Sequence, residues 1–558
     1  MTFLCLIEES DKHFFVLIGF LLDIVQSKRD FSRREAVSEK GIEMDRRAFM
    51  KSTLGTGTGV LLAASMGDFA WGKGSSDENL ADLSLQQLEM MIRNGEVTSE
   101  KLVQVYLDRI EKYGGSKGLN AYITLASEAA LKEAVQLDKL AKEKRFKGPL
   151  HGMPIAVKDN LDTKDMRTTG GSKILAQWTP KQDSYAVKKL KKAGAIVLGK
   201  TNLHEFAFGI STNNTNYGPT RNPYDRTRIP GGSSGGSGAA AAASLCAGAI
   251  GSDTGGSVRI PAALCGVVGL KPTFGRVGRG GMMSLSFTRD VIGPITRTVA
   301  DSAIVLGAIS GRDPRDPESS ARPVPNYVSS LKDGMKGKTF GVPKKIFYEN
   351  IHPDTQKVME DALKEVKNLG ANLKEVEVQN MEIATSTGFN IVLAECVYLI
   401  EEYLKAFDPE ATIQKYAEQF GPDVRPAIVG SKTKPVPGYV YAKSVREDRN
   451  KMIAGFKGAL SGVDALLLPT TPLPACKIGD DMETELLGKK VDTFLTFIRN
   501  CDPISVVGYP AITVPAGYSR EGLPIGLQIV VRPWEEGKLI GFGYSFEQAT
   551  KVRKPPKL

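Results

Sequence analysis

The sequence predicts an α/β fold with a mostly parallel sheet, and three observations lead to this prediction. Short apolar runs alternate with amphipathic helical segments, the pattern of strands and helices that form layers around one sheet. The chain of 558 residues is 41% hydrophobic and 24% charged, which is the composition of a globular protein with a large core. Residues 80–550 contain no long low-complexity linker, so we predict one large domain.

Two amphipathic helices open this domain. Ser84 has the side chain of a helix N-cap and stands before an apolar periodic segment that begins at Leu85. Thr98 precedes a second such segment, which runs to about Tyr113. The sequence therefore predicts two helices, each begun by a hydroxyl side chain.

Two short apolar runs further along predict buried strands. Residues 155–157 form the first, which delivers Lys158 at its end, and residues 195–199 form the second, after a basic helix at 187–193. Five alanines, residues 239–243, follow a glycine-rich stretch and predict a tightly packed helix.

The chain is basic, with a formal net charge of +10 and a pI near 9.0. Its lysines and arginines are scattered among acidic residues, without interleaved aromatics and without the motif of a nucleic-acid module. This distribution is typical of a solvated surface. We therefore expect no nucleic acid partner.

The cysteines exclude two classes of site. They lie far apart and form no CxxC pair, which argues against a zinc or iron–sulfur site and against a dense disulfide framework. Buried apolar thiols are the expected role. The six are Cys5, Cys246, Cys265, Cys396, Cys476 and Cys501.

The N-terminus has the pattern of an export signal. Arg46 and Arg47 stand before an uncharged, glycine-rich run, as in signals read by the twin-arginine export machinery. An ordinary basic helix start is the alternative, and the glycines disfavour it. Because Met44 stands two residues before the arginine pair, we interpret residues 1–43 as a doubtful extension and residues 44–75 as the signal segment.

This pattern predicts an exported, periplasmic protein. The cleavage site is poorly marked, so an uncleaved signal that anchors the protein in the membrane stays open. The boundaries predicted for the remaining chain are one folded domain at residues 76–552 and a basic tail at 553–558.

A glycine-rich stretch, residues 230–238, has three competing interpretations. A phosphate loop is disfavoured, because alanines stand where the lysine and hydroxyl of a P-loop belong and no apolar strand precedes the stretch. A hydrolase elbow would place its nucleophile at Ser233, but His352 is then the one histidine left downstream as base. A linker is disfavoured because the stretch continues into the alanine-rich helix.

A second glycine-rich loop, residues 251–257, follows that helix. Two such loops around one short helix suggest that they meet, and glycines there expose N–H groups to a ligand. The amides of four residues are candidates for a concavity that holds an oxyanion. They belong to Thr254, Gly255, Gly256 and Ser257. Since histidine is scarce, a desolvated lysine, Lys158, is the candidate for proton transfer.

Together these segments resemble the amidase signature family. The resemblance covers about residues 80–550 in the family's order, and its motifs are specific. They lie at residues 151–159, 199–202, 230–237, 251–262, 265–273, 468–472 and 508–515.

The resemblance implies a single α/β domain around a large twisted mixed sheet and a Ser-cis-Ser-Lys triad. Ser257 would be the nucleophile, Ser233 the bridging serine on a cis peptide bond, and Lys158 the base. The implied reaction is hydrolysis of a carboxamide to a carboxylate and ammonia or an amine, through an acyl-enzyme. It implies no metal and no cofactor.

Two alternatives stay open for the substrate. The chain resembles exported peptide amidases, and its core is also similar to the A subunit of tRNA-dependent amidotransferases, which release ammonia from glutamine. An export signal disfavours the subunit role, as does Ile498 at the position where those subunits carry an aspartate, although Asp502 lies nearby. We therefore expect a small-molecule or peptide amide as substrate. The pocket walls are expected within residues 380–450, with no substrate-binding residue and no oligomeric state assigned.

Overall fold

The computed structural model describes residues 77–558, so the predicted extension and signal segment lie outside the described residues. The structure is built on an eleven-stranded sheet, with two short hairpins beside it. The strands are β1 (Tyr122–Leu125), β2 (Pro154–Lys158), β3 (Ile196–Thr201), β4 (Asn213–Asn214), β5 (Gly218–Pro219), β6 (Gly248–Asp253), β7 (Val268–Lys271), β8 (Val291–Thr296), β9 (Thr339–Val342), β10 (Asn372–Glu375), β11 (Ala465–Pro469), β12 (Glu483–Leu486), β13 (Lys489–Asp492), β14 (Ala511–Tyr518) and β15 (Pro524–Val530).

The sheet is mixed. Its strand order is β1-β3-β2-β6-β8-β7-β14-β15-β11-β9-β10. The pairs β3/β2, β2/β6, β11/β9 and β9/β10 are parallel, and the other neighbours in this sheet are antiparallel. The mixed α/β sheet implied by the family resemblance is confirmed. The expectation of a mostly parallel sheet is wrong, because after β6 the chain adds β7, β8, β14 and β15 as antiparallel neighbours.

Helices cover the sheet. They are α1 (Asp77–Asp82), α2 (Leu85–Asn94), α3 (Ser99–Arg109), α4 (Ser127–Lys142), α5 (Tyr185–Lys192), α6 (Gly235–Ala242), α7 (Arg259–Leu264), α8 (Val299–Ile309), α9 (Pro353–Asn368), α10 (Ala384–Lys405), α11 (Arg425–Thr433), α12 (Gly438–Lys443), α13 (Arg449–Ala459), α14 (Thr493–Ile498), α15 (Asp502–Val506) and α16 (Glu536–Thr550).

The first helices begin where the sequence predicts. Ser84 caps α2 and forms a reciprocal capping box with Gln87, and Thr98 caps α3 by accepting from the N–H of Lys101. Helix α3 ends at Arg109 and continues as a π-helical turn, Ile110–Gly114.

Strands β2 and β6 bring two polar side chains, Lys158 and Asp253, to one edge of the sheet. Every residue of β2, β3 and β6 is buried, because each of these adjacent strands has a neighbouring strand on both sides and helices cover the faces of the sheet. Lys158 ends β2 and Asp253 ends β6, and since these two strands are parallel, both side chains reach the same edge. The second glycine-rich loop continues from β6 at this edge, and the first loop meets it there.

Candidate active site

Lys158 lies in the interior of the site. Its side chain is 0% exposed, and Nζ donates to Ser233 Oγ at 2.7 Å and to Ser252 Oγ at 2.9 Å. Burial lowers the pKa of Lys158 to about 7, although the nearby carboxylates of Asp253 and Asp290 act in the opposite direction. A large fraction of Lys158 is therefore neutral near pH 7, as a base must be.

Ser233 precedes helix α6, and the Gly232–Ser233 peptide bond is cis. The backbone here comes very close to β3. A Cβ on Gly236 would lie 2.4 Å from the carbonyl oxygen of Asn202, so a glycine is needed at this contact. The sequence predicted a packed alanine helix from residue 239, and the helix begins four residues earlier, inside the glycine-rich stretch.

The second loop carries Ser257, which is 7% exposed. The loop is organised around Asp253, whose carboxylate accepts from the N–H groups of Gly256 at 2.9 Å and Val258 at 3.1 Å. Burial would raise the pKa of Asp253, but the guanidinium of Arg259 and these hydrogen bonds lower it to about 2. Asp253 is therefore a fixed negative charge at the base of the loop.

This arrangement narrows the predicted oxyanion donors. The N–H of Gly256 already donates to Asp253, which leaves the amides of Thr254, Gly255 and Ser257 as candidates. The N–H of Ser234 donates to the carbonyl of Ser257 at 3.3 Å, so the two glycine-rich loops meet as the sequence suggested.

Arg259 holds the second glycine-rich loop in place through Asp253. It is fully buried, and its guanidinium donates twice to Asp253, at 3.0 and 2.9 Å. It also donates to Gln528 Oε1 and to Ser505 Oγ, both at 2.7 Å. These partners come from distant parts of the chain, so no local sequence pattern indicated them.

A pocket opens beside Ser257. Its empty volume is about 510 Å³, and its lining is mostly apolar. Helix α10 forms one wall, as expected for residues 380–450. Two further walls, the loop 207–210 and the segment 494–502, were not predicted. The lining residues are Ala207, Phe208, Gly209, Ile210, Thr254, Gly255, Ser257, Ile260, Leu285, Arg289, Gly388, Phe389, Val392, Phe494, Ile498 and Asp502.

Two opposite charges face this pocket. The guanidinium of Arg289 pairs with Asp502 and also donates to the carbonyls of Gly388 at 2.8 Å and Thr254 at 3.1 Å. The carboxylate fits because glycines flank it: a Cβ would lie 2.9 Å from Asp502 Oδ1 at Gly255 and 2.3 Å from Oδ2 at Gly388. Burial raises the pKa of Asp502, with Arg289 acting in the opposite direction.

His352, which the sequence offered as a base, and two polar residues of the 380–450 region, Tyr441 and Arg446, lie outside the site. His352 caps α9 and borders a separate polar groove, and Tyr441 donates to Glu395 Oε1 at 2.9 Å. The exposed Arg446 is not among the residues that line the pocket beside Ser257. The cysteines within residues 77–558 are free and buried. That part of the chain contains no group of three His, Cys, Asp or Glu side chains that could hold a metal ion.

Comparison with known proteins identifies the family. The family model described as Amidase matches residues 101–540. The chain belongs to the amidase family. It is therefore an enzyme that acts on amide C–N bonds, as the resemblance implied.

Relatives fall into two groups. The A subunit of glutamyl-tRNA(Gln) amidotransferase from Geobacter sp. (strain M21) is 40% identical over 489 residues, which are 85% of this chain and 99% of the relative. The solved A subunit from Thermotoga maritima is 33% identical with a TM-score of 0.70, covering 87% of this chain and 99% of that one. The native peptide amidase from Stenotrophomonas maltophilia is 34% identical with a TM-score of 0.74, covering 86% and 99%.

These relatives correct the expectation about partners. The A subunits of glutamyl-tRNA(Gln) amidotransferases belong, by their name, to a multi-subunit enzyme concerned with a tRNA, so excluding nucleic acid was wrong. The expectation relied on scattered surface charge and on the lack of a nucleic-acid-binding motif. Neither observation excludes nucleic acid, because one component of an assembly does not need such a motif of its own.

Proposed function

We propose that this enzyme hydrolyses a primary carboxamide to a carboxylate and ammonia by acyl transfer to Ser257. The observation that carries the proposal is the 2.7 Å hydrogen bond between Lys158 Nζ and Ser233 Oγ in a fully buried position beside the loop of Ser257. Because burial lowers the pKa of Lys158 to about 7, about half of this lysine is neutral at neutral pH, and the neutral amine can accept the proton that a serine nucleophile must lose.

The first step forms the acyl-enzyme. Ser257 Oγ attacks the amide carbon and passes its proton to Ser233 Oγ, while Ser233 passes its own proton to Lys158 Nζ. The amides of Thr254, Gly255 and Ser257 are the donors for the oxyanion, an interaction worth about 3 kcal/mol for each donor. The C–N bond then breaks, and the proton returns from Lys158 through Ser233 to the leaving nitrogen.

The second step uses water. A water molecule attacks the acyl carbon and gives up its proton along the same two residues. The tetrahedral intermediate collapses, Ser257 Oγ regains a proton, and the carboxylate product leaves. Asp253 and Arg259 keep the loop in place during both steps.

Glutamine is the substrate that the comparisons favour, in the role of an amidotransferase A subunit. The curated relatives at 37–40% identity are described as such subunits. Asp502 also supports this interpretation. The A subunits carry an aspartate at the position of Ile498, and in this chain Asp502 lines the same pocket as Ile498 and can take the place of that aspartate. Asp502 and Arg289 place a carboxylate and a guanidinium side by side on the pocket wall as an ion pair, and these two groups are complementary to the ammonium and carboxylate of an amino acid.

A free amidase that acts on apolar or C-terminal amides is the second candidate. The apolar lining favours it, with aromatic rings from Phe208, Phe389 and Phe494, as does the similarity to peptide amidase structures. Export to the periplasm stays a proposal that rests on the pattern around Arg46 and Arg47.

One substrate panel separates the two candidates. Purified enzyme is incubated with glutamine, an amidated dipeptide and phenylacetamide, and ammonia is measured. The amidotransferase role predicts that glutamine is preferred and that Asp502→Asn lowers its turnover while phenylacetamide turnover changes little. Preference for phenylacetamide or the dipeptide, with no glutamine turnover, contradicts that role and supports the free amidase. No ammonia from any amide contradicts the proposed hydrolysis.

A further inference from the structure

One wall of the pocket is a strained loop, residues 204–212, in which residues 207–210 face the cavity. Phe206, Ala207 and Thr212 have φ values of 50°, 61° and 55°, in the left-handed region. Non-glycine residues adopt this region at an energetic cost and keep it only where the surroundings hold them. The wall therefore depends on contacts from outside itself.

The imidazole of His204 is the centre of this loop and is buried. Gly209 lies flat against the ring, since a Cβ there would be 2.3 Å from ring atoms. The ring's Nδ1 lies 3.4 Å from Ser211 Oγ, near the far end of the loop. The backbone N–H of His204 donates to the carbonyl of Ser233 at 3.1 Å. His204 thus joins both ends of the wall and connects it to the proton relay.

Asp423 holds the other ring nitrogen. His204 Nε2 lies 2.7 Å from Asp423 Oδ2. Burial would raise the pKa of Asp423, but the hydrogen bond with His204 lowers it below its ordinary value. The carboxylate is therefore charged at neutral pH, and a charged acceptor makes this hydrogen bond stronger than one between neutral groups.

The same segment, residues 420–424, contacts the wall twice more. The N–H of Gly421 donates to the buried carboxylate of Glu205 at 2.7 Å. The rings of Phe420 and Phe206 pack with their centroids 5.3 Å apart. Segment 420–424 therefore contacts each of the first three residues of the wall, His204, Glu205 and Phe206.

We propose that Asp423, acting through His204, is a positioning residue that determines how tightly the pocket binds the acyl group of the amide. No residue of 420–424 is among the pocket-lining residues of the described part of the chain, so the segment acts through the wall alone. This inference rests on the proposed function, because it takes the pocket beside Ser257 as the acyl-binding site. It makes a segment remote from the glycine-rich loops a determinant of substrate specificity.

The test is steady-state ammonia release by Asp423→Ala, with KM and kcat separated, on glutamine or phenylacetamide, whichever the wild type hydrolyses faster. Losing the acceptor for His204 Nε2 is expected to raise KM about tenfold and to change kcat less than about threefold. Asp423→Asn is expected to restore a KM near the wild-type value, because its amide oxygen accepts from the same N–H. Asp423→Ser, which is too short to reach the ring, serves as a second variant if the alanine variant unfolds.

A matched control comes from nearby in the chain. Asp408 binds Lys415 and Tyr416 but does not contact the wall, so Asp408→Ala is expected to leave KM unchanged. A KM within twofold of wild type in Asp423→Ala, or an equal rise in Asp408→Ala, overturns the inference alone. If Ser257→Ala releases ammonia as fast as wild type, the proposed function itself is contradicted, and the inference with it.

Discussion

The hydroxyl of Ser252 lies 2.9 Å from Lys158 Nζ and accepts a second hydrogen bond, at 3.0 Å, from Asn160 Nδ2. Asn160 is fixed in turn, because its amide also donates to the carbonyl of Met283 at 3.2 Å. A neutral lysine that donates one N–H to Ser252 directs its lone pair elsewhere, and Ser233 is the other partner. Ser252 thus orients the base toward the serine from which it takes a proton.

Removing this hydroxyl is expected to slow the reaction without weakening substrate binding. Ser252→Ala leaves Lys158 free to rotate, so we expect kcat to fall about tenfold while KM stays unchanged. Steady-state ammonia release measures both. Ser237→Ala is the matched control, since Ser237 is also a buried serine but its hydroxyl forms hydrogen bonds with Thr201 and the carbonyl of Ile250 instead of with Lys158. Equal losses in the two variants would show that Ser252 has a structural role only.

The pH dependence follows from Lys158. Its pKa is lowered to about 7, and the neutral form is the active one, so kcat/KM rises as pH increases through about 7 and levels above it. Asp253, with a pKa of about 2, does not titrate in this range. Rates from pH 5 to 10 give the midpoint. A midpoint near 10, the ordinary value for lysine, would contradict a desolvated base.

Lys158 can be replaced without leaving a cavity. Lys158→Met approximately keeps the volume of the side chain and removes a fully buried amine whose charged form burial disfavours, while Ser233 and Ser252 each lose one hydrogen-bond partner. We expect these effects to offset each other, so that the variant folds and unfolds at a temperature close to that of wild type. Its ammonia release should fall below about one thousandth of the wild-type rate. Thermal unfolding and an end-point ammonia assay measure the two effects. Retained activity in the folded variant would remove Lys158 from the mechanism.

The sequence predicted what is encoded locally. The capped helices at Ser84 and Thr98, the strand that ends at Lys158, and the two loops that meet near Ser257 depend on neighbouring residues, and the structure contains each of them. The strand directions were misjudged because antiparallel return strands depend on connections between distant segments.

The environment of the site was beyond sequence reasoning. Arg259 reaches Gln528, and Arg289 reaches Asp502, across more than two hundred residues. His204 meets Asp423 only after the chain has folded. Such pairs show no periodicity or spacing, since folding alone brings them together. Residues 207–210, which alternate between small and large apolar side chains, also have no sequence pattern that indicates a pocket wall.

The twin-arginine interpretation of residues 44–75, which stays a proposal, makes a separate prediction. The double substitution Arg46→Lys with Arg47→Lys keeps the charge and removes the paired guanidinium groups that a twin-arginine receptor reads. We expect the variant protein to stay in the cytoplasm, measured by fractionating cells and blotting both compartments. A matched change outside the pair, Lys51→Arg, should leave export unchanged. Equal export of the double variant and the wild type would refute the twin-arginine interpretation.

In the proposed mechanism, Ser257 is the nucleophile, and its proton travels through Ser233 to Lys158. The most direct test is ammonia release by Ser257→Ala on the amide that the wild type hydrolyses fastest. The mechanism predicts a folded protein with the wild-type unfolding temperature and a rate at least about a thousandfold lower. A folded Ser257→Ala enzyme that keeps a tenth or more of the wild-type rate would contradict it.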